Sequence, residues 1–170
     1  MTADDTRHAR TVAETERIGE ALGAGLAWGD VVLLTGPLGA GKTRFVAGLA
    51  RGLGCKARVR SPSFAIVNQY RGKVPLLHVD LYRLEGRAAE DLGLEEQLED
   101  AVLACEWGER LPGRLAGDAL TLTFEVVSEN ERAIRATSSG DRGRELLMVW
   151  RALDDVLATL PARAAEEPAR

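Results

Sequence analysis

Gly36, Gly41, Lys42 and Thr43 stand at the spacing G-x-x-x-x-G-K-T inside the stretch LLTGPLGAGKTRF. Glycine removes the side chain and admits positive φ, so successive main-chain N–H groups can turn into one concavity. A helix opening near Lys42 aims its unpaired N–H groups and the positive end of its dipole at the same point. The chemistry that matches is polyphosphate binding. In that reading the loop Gly36, Pro37, Leu38, Gly39, Ala40, Gly41, Lys42, Thr43, with Arg44 behind it, surrounds the phosphates of ATP. Lys42 reaches the β and γ phosphates, and the Thr43 hydroxyl ligates Mg²⁺. Chance places the bare pattern in about one chain in a hundred of this glycine content, so the flanking elements decide. The apolar run VVLLT before the loop and the helical pattern TRFVAGLARGL after it are the strand and helix the motif requires.

Hydrolysis needs more than a cradle. It needs an acid for the metal and a group that orients the attacking water. Asp80 ends the apolar run LLHVD, and Glu106 follows AVLAC. Ligands of α/β sheets collect at the carboxyl ends of strands. Asp80 can hold Mg²⁺ directly or through water, and Glu106 can serve as base or water-positioner. The two roles are interchangeable at this level, and both residues, with Thr43, are candidate metal ligands. His78 shares a strand face with Asp80 by period two. It either orients that acid or is a packed, hydrogen-bonded histidine. The loop RSPSF offers the hydroxyls of Ser61 and Ser63, and a proline forces its neighbour into extended geometry. Such a loop can be ordered by a γ-phosphate and released after hydrolysis, or it is a plain turn.

Several elements must position these groups. Thr11 with Glu14 has capping-box spacing and opens a helix to about Leu26. Val31–Thr35 is apolar throughout, as a strand covered on both faces should be. Further strands are expected over Phe64–Tyr70, Leu76–Leu81 and Ala101–Cys105, with an acidic helical stretch over 88–100 between the last two. Ala119–Val127 and Arg132–Ser138 alternate in hydropathy and flank SENE as a hairpin. A last helix covers Glu145–Leu160, and the tail beyond it frays. The pattern is that of an α/β protein: one domain over residues 1–145, then a C-terminal helix and tail over 146–170.

The chain has 170 residues, 45% hydrophobic and 28% charged, an ordinary balance for a globular protein. No apolar window reaches membrane-spanning length. The acidic, polar start does not read as a secretory signal, so a cytoplasmic address is expected. Cys55 and Cys105 suit neither a disulfide framework nor a zinc site. Net charge is −4, but it is unevenly spread. Residues 42–87 carry ten Lys/Arg against two acids, and residues 88–109 carry eight acids and no Lys or Arg. This implies either two solvated faces or a basic floor for phosphates beside an acidic partner surface.

The blocks GDVVLLTGPLGAGKTRF, SPSFAIVNQY, HVDLYRL, LGLEEQL and CEWGERLP occur together, in order, between Thr11 and Arg135. In this the chain resembles the bacterial tRNA threonylcarbamoyladenosine biosynthesis ATPases, the TsaE family. The resemblance implies a P-loop NTPase-like three-layer fold with a mixed central sheet and flanking helices. It implies weak Mg²⁺-dependent ATP hydrolysis that keeps a TsaD-type and TsaB-type transferase pair cycling during modification of adenosine 37 of tRNA. It places Ser63 at a switch hydroxyl, Asp80 at the acid of the DLYR block and Glu106 at the glutamate before Trp107. Contact with tRNA would be indirect or through the basic segment 42–87. The chain departs from the family at Pro37, where relatives carry an acid, at Ser63 for threonine, and at Gly108 for proline. Trp107 is open to core or rim packing, base stacking or partner anchoring, as are Tyr82 and Arg83. A small P-loop metabolite kinase and a non-hydrolysing nucleotide-binding adaptor are the competing readings.

Overall fold

The computed structural model describes residues 5–62, 66–84 and 86–164, and of residues 86–88 the backbone alone. Four strands run parallel at its centre. They are β2 (Val31–Thr35), β4 (Leu76–Asp80), β5 (Val102–Glu106) and β6 (Ala119–Val126), with β2 between β5 and β6 and β4 beside β5. Antiparallel strands close both edges. β3 (Val67–Tyr70) pairs with β4, while β7 (Arg132–Ser139) pairs with β6 and then with β1 (Thr6–Ala9). The seven-stranded order is β1-β7-β6-β2-β5-β4-β3. The carboxyl ends of all four parallel strands therefore lie on one side of the molecule.

The central strand explains its own composition. Val32 and Leu34 of β2 enter one core, and Val31 and Leu33 enter the other. Both faces are covered, so alternation disappears and residues 31–34 are all apolar. Helices α1 (Val12–Gly23), α2 (Lys42–Gly52), α5 (Gly140–Arg151) and α6 (Leu153–Thr159) cover the first face through Leu22, Phe45, Leu49, Trp150 and Leu153. Helices α3 (Leu94–Leu98) and α4 (Gly113–Ala116) cover the second with Leu94 and Leu115. The three-layer, mixed-sheet α/β architecture is the one expected. Among the described residues no helix is long and apolar enough to cross a membrane. Cys55 and Cys105 are free and buried, and burial pushes both thiols up, as suits small packing groups.

Several boundaries differ from the sequence pattern. Strand β1 escapes it, because TRHA has no apolar run; it is an edge strand held by β7. The first helix stops at Gly23, short of Leu26. The strand expected from Phe64 is described from Val67, residues 63–65 lying outside the described ones. Glu106 is the last residue of β5 rather than the first beyond it. The acidic helical stretch divides at Gly93, whose φ of 62° no right-handed helix continues through, into a 3₁₀ turn over Gly86–Leu92 and α3. The last helix starts earlier, at Gly140, and breaks at Ala152, so that α6 lays Leu153, Val156 and Leu157 against the first core.

The helices α1 and α2 touch backbone to backbone. Gly19 and Gly23 on one face Gly48 and Gly52 on the other, four residues apart on each helix. A Cβ at Gly48 would lie 1.9 Å from the Glu16 carbonyl oxygen, and one at Gly19 would lie 2.3 Å from that of Phe45. The approach fixes α2, and with it the loop that opens α2. It also buries Glu16, which is paired with Arg44 and Arg51 at 3.2 Å each. Gly48→Ala is expected to lower stability by about 3 kcal/mol, because the added methyl meets backbone oxygen that cannot rotate away. The midpoint of urea unfolding measures this, and an unchanged midpoint would mean that the helices separate freely.

Candidate functional site

The glycine loop leaves β2 at Thr35 and enters α2 at Lys42. Gly36, Gly39 and Gly41 have φ of 135°, 76° and 96°. At Gly36 the requirement is double: a Cβ would also sit 2.7 Å from the Phe124 carbonyl oxygen on β6. Gly41 is the N-cap of α2 and supplies no side-chain cap. The first-turn N–H groups of the helix thus have no side-chain acceptor from their own cap and face the loop.

Register brings the acids to this place. Asp80 pairs with Glu106 across β4 and β5, and Glu106 pairs with Leu34 across β5 and β2. The result is a cleft of ≈ 670 Å³ at the carboxyl ends of the parallel strands. Its walls include Leu38, Gly39, Ala40, Gly41, Lys42, Thr43, Arg44, Asp80 and Glu106, with Ser61, Tyr82, Arg83 and Trp107. Gly36 and Pro37 stand behind that wall and present their carbonyls to Lys42. Ser63 lies outside the described residues.

Lys42 is 5% exposed and folds back over the loop. Its Nζ donates to the carbonyls of Gly36 and, at 3.2 Å, Pro37, and lies 4.3 Å from the centre of the Trp107 ring. Burial lowers its pKa; the carboxylates of Glu106, Glu109 and Asp80 oppose the shift. The Thr43 hydroxyl donates to both Glu106 oxygens, at 2.8 and 3.0 Å. Glu106 is 4% exposed and its Oε2 also lies 2.6 Å from His78 Nε2. His78 therefore gives its ring to Glu106 rather than to Asp80. Its Nδ1 is buried without a partner, which fits the tautomer with the proton on Nε2. Asp80 Oδ1 accepts the Tyr82 N–H at 2.9 Å. Burial raises the Asp80 pKa; the Tyr82 N–H opposes that, and the Glu106 charge adds to it.

Trp107 is the one non-glycine with positive φ among the described residues, at 58°. Such backbone costs of order 1–3 kcal/mol and persists only where neighbours hold it. Tyr82 stacks obliquely at 5.0 Å, and the Arg110 guanidinium lies 5.1 Å from the ring. Arg110 in turn donates to the carbonyls of Leu81 and Tyr82, at 3.1 and 2.6 Å. Gly108 follows, and a Cβ there would lie 2.6 Å from that of Leu33. The missing side chain at Gly108 thus lets this turn close on β2.

The sequence reading missed two members of this neighbourhood. Arg110 lies in the block CEWGERLP but has no role assigned there. Arg132, on β7, donates to the carbonyls of Gly39 and Ala40 at the outer corner of the loop, and only hairpin register brings it there. The assembled groups are main-chain donors, a buried cation, two carboxylates and a hydroxyl. Such a set can hold a polyphosphate together with a hard, oxygen-preferring cation.

The chain is similar to known proteins in both sequence and fold. Residues 9–134 match the family model for threonylcarbamoyl adenosine biosynthesis protein TsaE. A Mycobacterium bovis protein named tRNA threonylcarbamoyladenosine biosynthesis protein TsaE is 37% identical over 151 residues, 82% of this chain and 90% of that one. The protein of the same name from Bacillus subtilis is 40% identical over 131 residues, covering 76% and 82%. The crystal structure of Bacillus subtilis YdiB superposes with a TM-score of 0.72 at 32% identity, covering 88% of this chain and 95% of that one. The family match runs from the end of β1 into β7 and takes in the loop, both acids and Trp107, so the chain belongs to the TsaE family of threonylcarbamoyl adenosine biosynthesis proteins.

Proposed function

We propose that this protein is the ATPase component of tRNA N6-threonylcarbamoyladenosine formation, binding Mg-ATP and using its hydrolysis to keep a TsaD- and TsaB-type transferase pair turning over. The observation that carries the reading is the convergence of Lys42, Thr43, Asp80 and Glu106 on one cleft at a helix start. Family membership supplies the biosynthetic setting.

The loop amides and the N-terminus of α2 bind the β and γ phosphates. Lys42 leaves the carbonyls of Gly36 and Pro37 for the γ-phosphate. The Thr43 hydroxyl and Asp80 hold the magnesium, with Glu106 at second rank through Thr43. The donor set fits that ion. Among the described residues no three or more His, Cys, Asp or Glu are arranged so that they could hold a metal ion by themselves. Magnesium asks for one or two carboxylates, because it keeps waters and phosphate oxygens as its other ligands. When bound it neutralises charge developing on the transferred phosphoryl group. Glu106, fixed by His78, orients the attacking water. Ser63 is the proposed switch hydroxyl, and tRNA is reached through the partner subunits or through the basic segment 42–87. The address follows as cytoplasmic.

The test is Mg-ATP turnover by the chain alone and with the two transferase subunits. Turnover is expected to be slow alone and clearly faster with the pair. Equal, negligible rates would favour a nucleotide-binding adaptor, and transfer of phosphate to a nucleoside or sugar would favour a kinase. Asp80→Asn is expected to raise the magnesium concentration for half-maximal turnover by about tenfold or more. The thermal midpoint should not fall, since a half-buried charge goes and the Tyr82 N–H keeps an oxygen acceptor.

A further inference from the structure

Arg132 opens β7 just beyond the hairpin tip. Its guanidinium reaches five main-chain carbonyls. Nε donates to Ala40 at 3.0 Å and Nη2 to Gly39 at 3.2 Å. Nη1 donates to Ser128, Glu129 and Glu131 at 2.8, 3.2 and 3.0 Å. Two of the carbonyls belong to the glycine loop and three to the hairpin tip.

A planar trans peptide holds its C=O and N–H in opposite directions. Fixing the Gly39 and Ala40 carbonyls on the arginine therefore turns the amides of Ala40 and Gly41 away from it. The Ala40 N–H meets the Pro37 carbonyl at 3.2 Å. The Gly41 N–H belongs to the peptide whose oxygen Arg132 Nε holds, and it opens α2. Ala40 is packed in the first core, whereas Gly39 stands at the open tip of the corner, where a Cβ would meet nothing within 4 Å. A guanidinium spreads its five donors over a rigid planar fork and so holds carbonyls of two separate segments in fixed directions, where an ammonium has three donors on one atom.

We propose that Arg132 is a positioning residue that sets the glycine-loop amides for phosphate, and that through it the Ser128–Glu131 tip senses whether the loop is occupied. This rests on the nucleotide-binding reading. Occupancy that orders the loop carbonyls must also order the tip, because one guanidinium holds both. The coupling is reciprocal: a group whose grip on the tip is changed by nucleotide changes nucleotide affinity by the same factor.

The experiment uses the full chain, with Mg-ADP binding followed by calorimetry and thermal midpoints taken without nucleotide. Arg132→Lys and Arg132→Gln are expected to weaken ADP by roughly tenfold or more, the scale of one or two lost hydrogen bonds from a charged donor. Arg135→Gln, an exposed neighbour on the same strand, is expected to bind as wild type does. Wild-type affinity in Arg132→Lys would overturn the inference and leave the nucleotide reading standing. A wild-type chain that binds no ADP would end both. Should the variants fail to fold, amide hydrogen exchange on the wild type decides. ADP must then slow exchange over 127–131 as well as in the loop, and must not do so in Lys42→Ala. Slowing confined to the loop would overturn the coupling.

Discussion

Lys42→Ala is expected to abolish productive ATP binding, with affinity falling a hundredfold or more in a calorimetric titration. A hundredfold change needs about 2.7 kcal/mol. An ammonium about 4 Å from a phosphate charge contributes about 4 kcal/mol at an effective dielectric near 20. What it gives up is two contacts with neutral carbonyls and a cation–π contact, the last worth about 2 kcal/mol for a desolvated ammonium, and none of these carries the opposite charge that a phosphate does. The side chain is thus held in reserve, close to where it is needed, by bonds that a phosphate can outbid. A companion variant separates loss of site from loss of fold. Burial depresses the Lys42 pKa, so the protonated form is less favoured in the folded chain than in the unfolded one. Between the lowered folded value and the ordinary unfolded one, the unfolded chain binds the extra proton and stability rises with pH; below both, the full cost stands. Lys42→Met removes that cost and keeps the chain length. Its nucleotide-free thermal midpoint is expected to be no lower than wild type, while ADP no longer raises it. Unchanged ATP affinity in Lys42→Ala would remove the loop from any role in binding.

Much of this arrangement was legible before any coordinates. The loop was, because its chemistry is local: three glycines, a lysine and a threonine must be contiguous to build a concavity on a helix start. Val31–Thr35 was, because burial on both faces erases alternation. Asp80 and Glu106 were legible as strand-end acids but not as a pair, since pairing is register, and register links segments with no shared signal. For the same reason the partner of His78 was not legible: of its two readings the packed, hydrogen-bonded histidine is the one the structure has, and the acid it meets is Glu106. Period two places it beside Asp80 on one strand, yet its ring crosses to the neighbouring strand. The role of the glycines of α1 and α2 was not legible, because it is a contact between two backbones from separate segments. Arg132 gave no signal, because its partners are carbonyls, which any sequence supplies.

Glu106→Gln is expected to lower partner-stimulated ATP hydrolysis by about a hundredfold to ten-thousandfold, the range for loss of a positioned proton acceptor, while ATP affinity stays within a few fold. The variant is nearly isosteric, so the question is whether its amide can be placed. His78 answers it. An amide NH₂ turned toward His78 Nε2 would force the ring proton onto Nδ1, which is buried and has no partner. An unpaired buried donor costs about 1–3 kcal/mol. The glutamine therefore keeps its oxygen on His78 and turns its NH₂ toward Thr43, whose hydroxyl accepts. The fold survives, but the carboxylate that receives the Thr43 proton is gone. The Thr43 hydroxyl is then oriented by a donor instead of an acceptor, and the neighbouring water loses its base. Turnover should fall at every magnesium concentration, unlike the Asp80→Asn defect, which more magnesium relieves. A Glu106→Gln protein that turns over ATP as wild type does would take this carboxylate out of the chemistry and leave it as the acceptor that holds Thr43 and His78 together.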